Sequence, residues 1–381
     1  MKRRDYIFIL GCILSVLSVA FAAQIAVIVA DPRFSGHINQ IAPVFGVAFG
    51  IVWLGGLRYL PAVFIGALLP GIIAKESLLM LLSVPIATVT SSALSLRILE
   101  ALHVRFNMER IRDALIILFV GIIASTCFGA VIESVFQCRG TGGINWDDFK
   151  ALFLTNWLAA AVGSIIITPF ILAWADKGGF KLAGRQFIEV GLWLLVLSAF
   201  GSVTFQNWAP TDVLFYPMEL AIFPIMAWSA IRFGLRGASA GVFILALLAV
   251  CALIPVFSDG STAISQSPAN VWIFVGIVSI TSICLAAVMT ELRLREAQVS
   301  ENERRLSAFT GALPDIAFVF SREGMIVDVF SADSAIKSTH RITNAERVLG
   351  KPLAAVFDEN ACRAFLATIS ESLNSNSVKT L

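Results

Sequence analysis

A succession of long apolar stretches, parted by short polar breaks, constrains this chain more than any other feature. Ten can be read, at about 7–29, 42–57, 59–74, 76–102, 113–137, 150–175, 187–207, 214–232, 236–256 and 270–290. A helix crossing the hydrocarbon core of a bilayer needs roughly 20 mostly apolar residues, and inside lipid only a helix or a closed barrel satisfies its own backbone. The expected fold is therefore an all-α polytopic membrane bundle of about ten transmembrane helices. Only Gly55-Gly56-Leu57-Arg58-Tyr59 parts the second stretch from the third, and only Lys75-Glu76 parts the third from the fourth. Fusing them differently gives eight spans and leaves both termini on the same side. A cleaved leader is disfavoured, because Met1-Lys2-Arg3-Arg4 opens an apolar run too long for a signal peptide.

Charge changes abruptly along the chain. Residues 1–290 carry 17 Lys and Arg and 14 Asp and Glu, whereas the 91 residues 291–381 carry 11 and 12. All eight tryptophans lie in the first part. The organisation expected is a membrane domain at 1–290, a helical linker at 291–312 and a small α+β domain at 313–381. A net charge of +2 excludes nucleic-acid binding driven by bulk charge. Six scattered cysteines, without a CxxC or paired histidines, give no disulfide scaffold and no metal site of recognisable spacing. No cofactor is expected.

Lys and Arg collect on the cytoplasmic side of membrane proteins. With the N-terminus inside and ten alternating spans, 13 basic residues of the membrane domain fall inside, Arg58, Arg97, Arg110, Lys181, Arg232 and Arg236 among them. Only Arg33, Lys75, Arg139 and Lys150 fall outside. Both termini, and residues 291–381 with them, are thus expected in the cytoplasm.

Charged and amide side chains inside spans are costly, and each is a functional candidate. The main ones are Glu133, Asn156 and Glu219, with Gln24 and Gln206 weaker. All five fall toward the outer ends of their spans. Glu133, Asn156 and Glu219 would line an outward-opening pocket for a small ligand with a cationic or hydrogen-bond-donating group. The plainer alternative is that these side chains reach the headgroups or bond to one another. Gly46-x-x-x-Gly50 and Gly237-x-x-x-Gly241 suit close helix packing. Trp146, Trp157, Trp208 and Trp272 suit an aromatic belt at the outer interface. Inverted repeats and charged arrays are not evident, so a transporter with a regulatory domain is a rival reading rather than the favoured one. A scaffold binding a membrane partner protein is a second rival.

From Leu285 the chain runs without Gly or Pro to Thr310. Leu285, Leu292, Val299, Leu306 and Leu313 recur every seventh residue, with Val288 and Phe309 at companion positions; Arg295 and Asn302 fill the other two, so the seam is imperfect, and one amphipathic helix lying on its own domain is the alternative. That pattern predicts a parallel dimeric coiled coil, in which a lone Asn fixes register. Beyond it, 315–320 and 325–330 read as paired strands around a turn at Ser321-Arg322-Glu323-Gly324, and Glu359 to Leu373 as an amphipathic helix.

Two resemblances sharpen this reading. "ALPDIAFVFSREGMIVDVF", "VLGKPLAAVF" and the closing helix resemble a PAS domain, here incomplete at its C-terminal end. "PVFGVAFGIVWLGGLRYLPAVFIGALL" (43–69), "RDALIILFVGIIASTCFGAVIES" (112–134), "NWLAAAVGSIIITPFILAWAD" (156–176) and "FPIMAWSAIRFGLRGASAG" (223–241) resemble the membrane-associated sensor domain of type one. The resemblance implies a bacterial inner-membrane sensory module, of a kind attached to histidine kinases or to GGDEF or EAL domains, often through PAS domains. No GGDEF, H-box or glycine-rich nucleotide motif occurs in 1–381, and the tripeptide Glu100-Ala101-Leu102 closes an apolar stretch rather than belonging to an EAL domain. No catalytic residue is assigned, and enzymatic output is expected from a module outside this sequence.

Overall fold

The computed structural model describes residues 11–22, 42–140, 145–175, 184–206, 220–259, 268–311, 317–321, 325–330, 349–352, 354 and 358–375. Gln24, Trp208, Glu219 and Leu313 lie outside these residues, as do the side chains of Gln206, Leu306 and Phe309. The chain forms two compact units, Met1–Leu292 and Arg293–Leu381.

The first unit is an all-α membrane bundle. Its described helices are α1 (Gly11–Ala22), α2 (Pro43–Gly55), α3 (Leu60–Ile73), α4 (Leu78–Ala101), α5 (Ile111–Gly140), α6 (Trp146–Ala175), α7 (Gly184–Gln206) and α8 (Ile222–Asp259). They are followed by α9 (Pro268–Gly311). Among the described residues, six helices, α4 to α9, are long and apolar enough to cross a membrane, and α1 to α3 are shorter apolar helices. Each of the ten expected stretches overlaps a described helical segment, and the segment 222–259 is two helices joined at a kink. The stretches at 214–232 and 236–256 meet within α8, where Gly234 alone departs from helical geometry, at φ 65° and ψ −152°. A bend thus stands where a charged loop, Arg232 to Arg236, was expected. Glycine has no Cβ to forbid that conformation, so the axis turns without a connecting segment.

Helix α2 is the centre of the first core. With 13 residues it is about 20 Å long, too short to cross a hydrocarbon core of about 30 Å. Most of its residues are buried. Gly46 and Gly50 bring its backbone against α6: a Cβ at Gly46 would stand 2.8 Å from the Gly163 carbonyl oxygen, and one at Gly50 2.8 Å from Ile171. Close approach also permits cross-helix polar bonds. The Ala42 N–H donates to the Ala159 carbonyl at 3.0 Å, and the Thr168 hydroxyl to that of Gly46 at 3.1 Å. Phe49 stacks on Trp53, and Trp53 on Phe106, at 5.5 and 5.7 Å between ring centroids. A second core gathers Trp193, Leu197, Met226, Leu245, Val275 and Trp272. Trp272, expected at the interface, is 1% exposed and packs there instead. Of the second glycine pair, Gly241 meets Trp193 and Met226, whereas Gly237 faces Phe233 of its own helix.

Helix α5 is not uniformly α-helical: Ile116–Ala124 is a π-helical stretch. Side chains of its neighbours take up carbonyls there. Ser95 Oγ on α4 donates to Gly121 O at 2.6 Å, and Trp157 Nε1 on α6 to Ile123 O at 3.1 Å. Thr126 Oγ1, one turn on, donates to Ile122 O at 2.9 Å. Wide turns of this kind persist where such partners satisfy the displaced backbone groups, and they cluster at functional sites.

In the second unit, β1 (Ala317–Phe320) and β2 (Ile326–Phe330) form an antiparallel hairpin. Ala317 faces Phe330 and Val319 faces Asp328, with a register shift between Val319 and Phe320. Residues 349–352 run along β2, Ile326 N–H donating to Lys351 O at 3.0 Å and Gly350 N–H to Ile326 O at 2.8 Å. Gly350 has φ 75°, which suits glycine. The unit's last described helix is α10 (Glu359–Ser375). Asp358 caps it, its Oδ1 accepting from Ala361 N–H at 3.3 Å.

Candidate functional site

Glu133 and Gln137 stand four residues apart on α5 and so share a helix face. Gln137 Nε2 donates to Glu133 Oε1 at 3.1 Å. Across the interface, Asn156 Nδ2 on α6 donates to Gln137 Oε1 at 2.9 Å and to Ser134 Oγ at 3.1 Å. Glu133 is 4% exposed, Asn156 5%, and Ser134 fully buried. Donation thus runs in one direction, from Asn156 through Gln137 to the carboxylate. Among the described residues, no donor reaches Glu133 Oε2 or Asn156 Oδ1.

The fold therefore joins Glu133 to Asn156 through a residue the sequence reading passed over. Gln137 and Ser134 belong to the cluster. Of these, Gln137 carried a usable signal, its four-residue spacing from Glu133. Glu219 lies outside the described residues. Trp157, adjacent to Asn156, ties α6 to the π-helical stretch of α5. Toward the start of α6, Trp146, Phe149, Phe153 and Trp157 stack in series at 5.7, 6.3 and 6.0 Å. Lys150 lies over the Trp146 ring at 5.3 Å.

At the opposite end of α5, the N–H of Ile111, its first residue, donates to Glu291 Oε2 of α9 at 3.0 Å. A helix N-terminus has unsatisfied donors and a partial positive charge, and a carboxylate answers both. At the same end, Arg236 Nε donates to Ala173 O in the last turn of α6 at 3.1 Å. Arg232 grips Glu189 of α7 with two bonds, of 2.7 and 3.0 Å.

Along α9, Leu285 is half-buried and packs with Ala230, Ala238 and Ala286 of its own bundle. Val288 is half-buried, whereas Leu292, Val299 and Asn302 are exposed. The unoccupied part of the heptad stripe therefore starts at Leu292. Among the described residues, no group of three His, Cys, Asp or Glu is placed to hold a metal ion.

A bundle of lipid-length apolar helices enclosing a small polar cluster defines a polytopic membrane protein. A model of the MASE1 family matches residues 14–293, and the chain belongs to that family of membrane sensory domains. The match ends where the first compact unit ends. No curated protein and no solved structure matches the chain.

Proposed function

We propose that this protein is a bacterial inner-membrane sensor that detects a stimulus in its membrane domain and transmits it through α9 to a cytoplasmic PAS-like unit. A diguanylate cyclase, phosphodiesterase or histidine kinase beyond that unit would supply the output. The observation that carries the reading is the continuity of α9, which begins inside the family's domain and runs unbroken past residue 293 to Gly311. The bias of 13 basic residues against four supports cytoplasmic termini, and the exposed Leu292 and Val299 support a dimer joined along α9.

Two contacts on α5 support a route for the signal. One end of that helix holds the polar cluster, and the other end is capped by Glu291 of α9. A stimulus shifts such a switch only through unequal affinity for its two arrangements. The cluster is where that inequality would arise, and the Glu291 cap is where α9 would register it. Output of the intact protein in cells, measured with Glu133→Gln and with Glu291→Gln, tests this. Both substitutions should alter output while membrane insertion stays unchanged; unaltered output in both would overturn the proposal.

A further inference from the structure

We infer that Glu133 and Asn156 form an acceptor site for a primary ammonium group. The inference rests on the proposed sensory role and names the chemistry recognised there. Its first ground is an inventory of donors and acceptors. Both N–H groups of the Asn156 amide are engaged, by Ser134 and Gln137, and Glu133 Oε1 already accepts from Gln137. What remains is Glu133 Oε2 and Asn156 Oδ1, two acceptors on side chains more than nine-tenths buried. A buried carboxylate lacking a charged partner is costly, and more so within a bilayer.

The second ground is the sign of the surrounding charge. No ion pair joins Glu133 to a basic residue among the described residues, so its charge has no counter-charge there. A hard divalent cation would require about six oxygen ligands, more than one carboxylate and an amide provide. An ammonium group carries three N–H donors on one positive centre. Two of them answer Glu133 Oε2 and Asn156 Oδ1, and the third is left for water. A quaternary ammonium has no N–H and meets none of these demands.

Glu133 stands seven residues before the end of α5, about 10 Å along the axis, near enough to that end for a group arriving from water or from the lipid headgroups. The same chemistry therefore has two sources, a soluble amine or the ethanolamine headgroup of a lipid.

The test uses the full chain in phosphatidylcholine nanodiscs, where the lipid offers no N–H donor, with thermal unfolding as the readout. Methylammonium is the soluble probe, and phosphatidylethanolamine blended into the discs is the lipid probe. Stabilisation by either supports the site and identifies its source. Glu133→Gln and Asn156→Leu should each weaken the response about tenfold or more, as loss of a charged or buried hydrogen bond predicts. Thr155→Ala, on α6 but bonded only to its own helix, should leave the response intact. Stabilisation by neither probe, equal stabilisation by tetramethylammonium or potassium, or an undiminished response in Glu133→Gln would overturn the inference. A separate failure is distinguishable: if methylammonium binds but the output of the intact protein does not change, the site stands and the sensory reading falls.

Discussion

Gln137 shows how much one side chain decides. Its amide is used on both sides, giving to Glu133 and accepting from Asn156, so removing it leaves two buried groups short of a partner. Gln137→Met keeps the length and loses the bonds. It should cost about 1–3 kcal/mol, the usual penalty for stranding buried polar atoms, seen as a lower midpoint in detergent unfolding. Glu291 is half-buried. Glu291→Ala removes the acceptor at the start of α5 and should cost about 1 kcal/mol, as loss of a helix cap does, with Glu291→Gln costing less. Glu133 and Asn156 were legible in the sequence because polar groups stand out in apolar spans. Gln137 lies so near the polar end of α5 that it reads as an ordinary terminal residue. The bond between Glu291 and Ile111 joins residues 180 positions apart, and no local pattern encodes it.

Among the elements, α8 and α9 carry the clearest tests. The backbone at Gly234 occupies a region open almost only to glycine, and an added Cβ would meet nothing closer than Thr290 Oγ1 at 4.0 Å. Gly234→Ala should therefore cost on the order of 1–3 kcal/mol through backbone strain alone, measurable by thermal unfolding. The sequence marked a break here, since two arginines interrupt an apolar run. It could not say whether the break was a loop or a bend, because the charges are compatible with both. On α9, cysteines at Leu292 and Leu306 should cross-link between chains far better than cysteines at Glu296 or Glu303. Equal cross-linking at all four would show that the stripe is not an interface. The heptad was easy to find and its useful extent was not: Leu285 fits the spacing, yet it is spent on packing against Ala230 and Ala238. Trp272 misled for a similar reason, since position near a helix end does not reveal whether a ring turns toward lipid or into the core.

For the whole molecule, composition was the most informative property. The step in charge near residue 290 lies within a few positions of the boundary between the two compact units and of the end of the family match. Reporter fusions at Asp147 and Asp259 should read outside, and at Lys181 inside; an outside signal at Lys181 would overturn the orientation. The number of crossings was less legible, because α2 and α3 are apolar yet short, and burial among neighbours selects for apolar residues just as lipid does. The π-helical stretch of α5 has a consequence for how this chain tolerates changes in length. Loss of one residue from an ordinary spanning helix swings everything beyond it by about 100°. Each turn of the 116–124 stretch holds one residue more than an α-turn, so a deletion there is absorbed by tightening a turn. A single-residue deletion within 116–124 should therefore leave Glu133 facing Asn156 at one end of α5 and Ile111 facing Glu291 at the other, checked by membrane insertion and thermal unfolding of the variant.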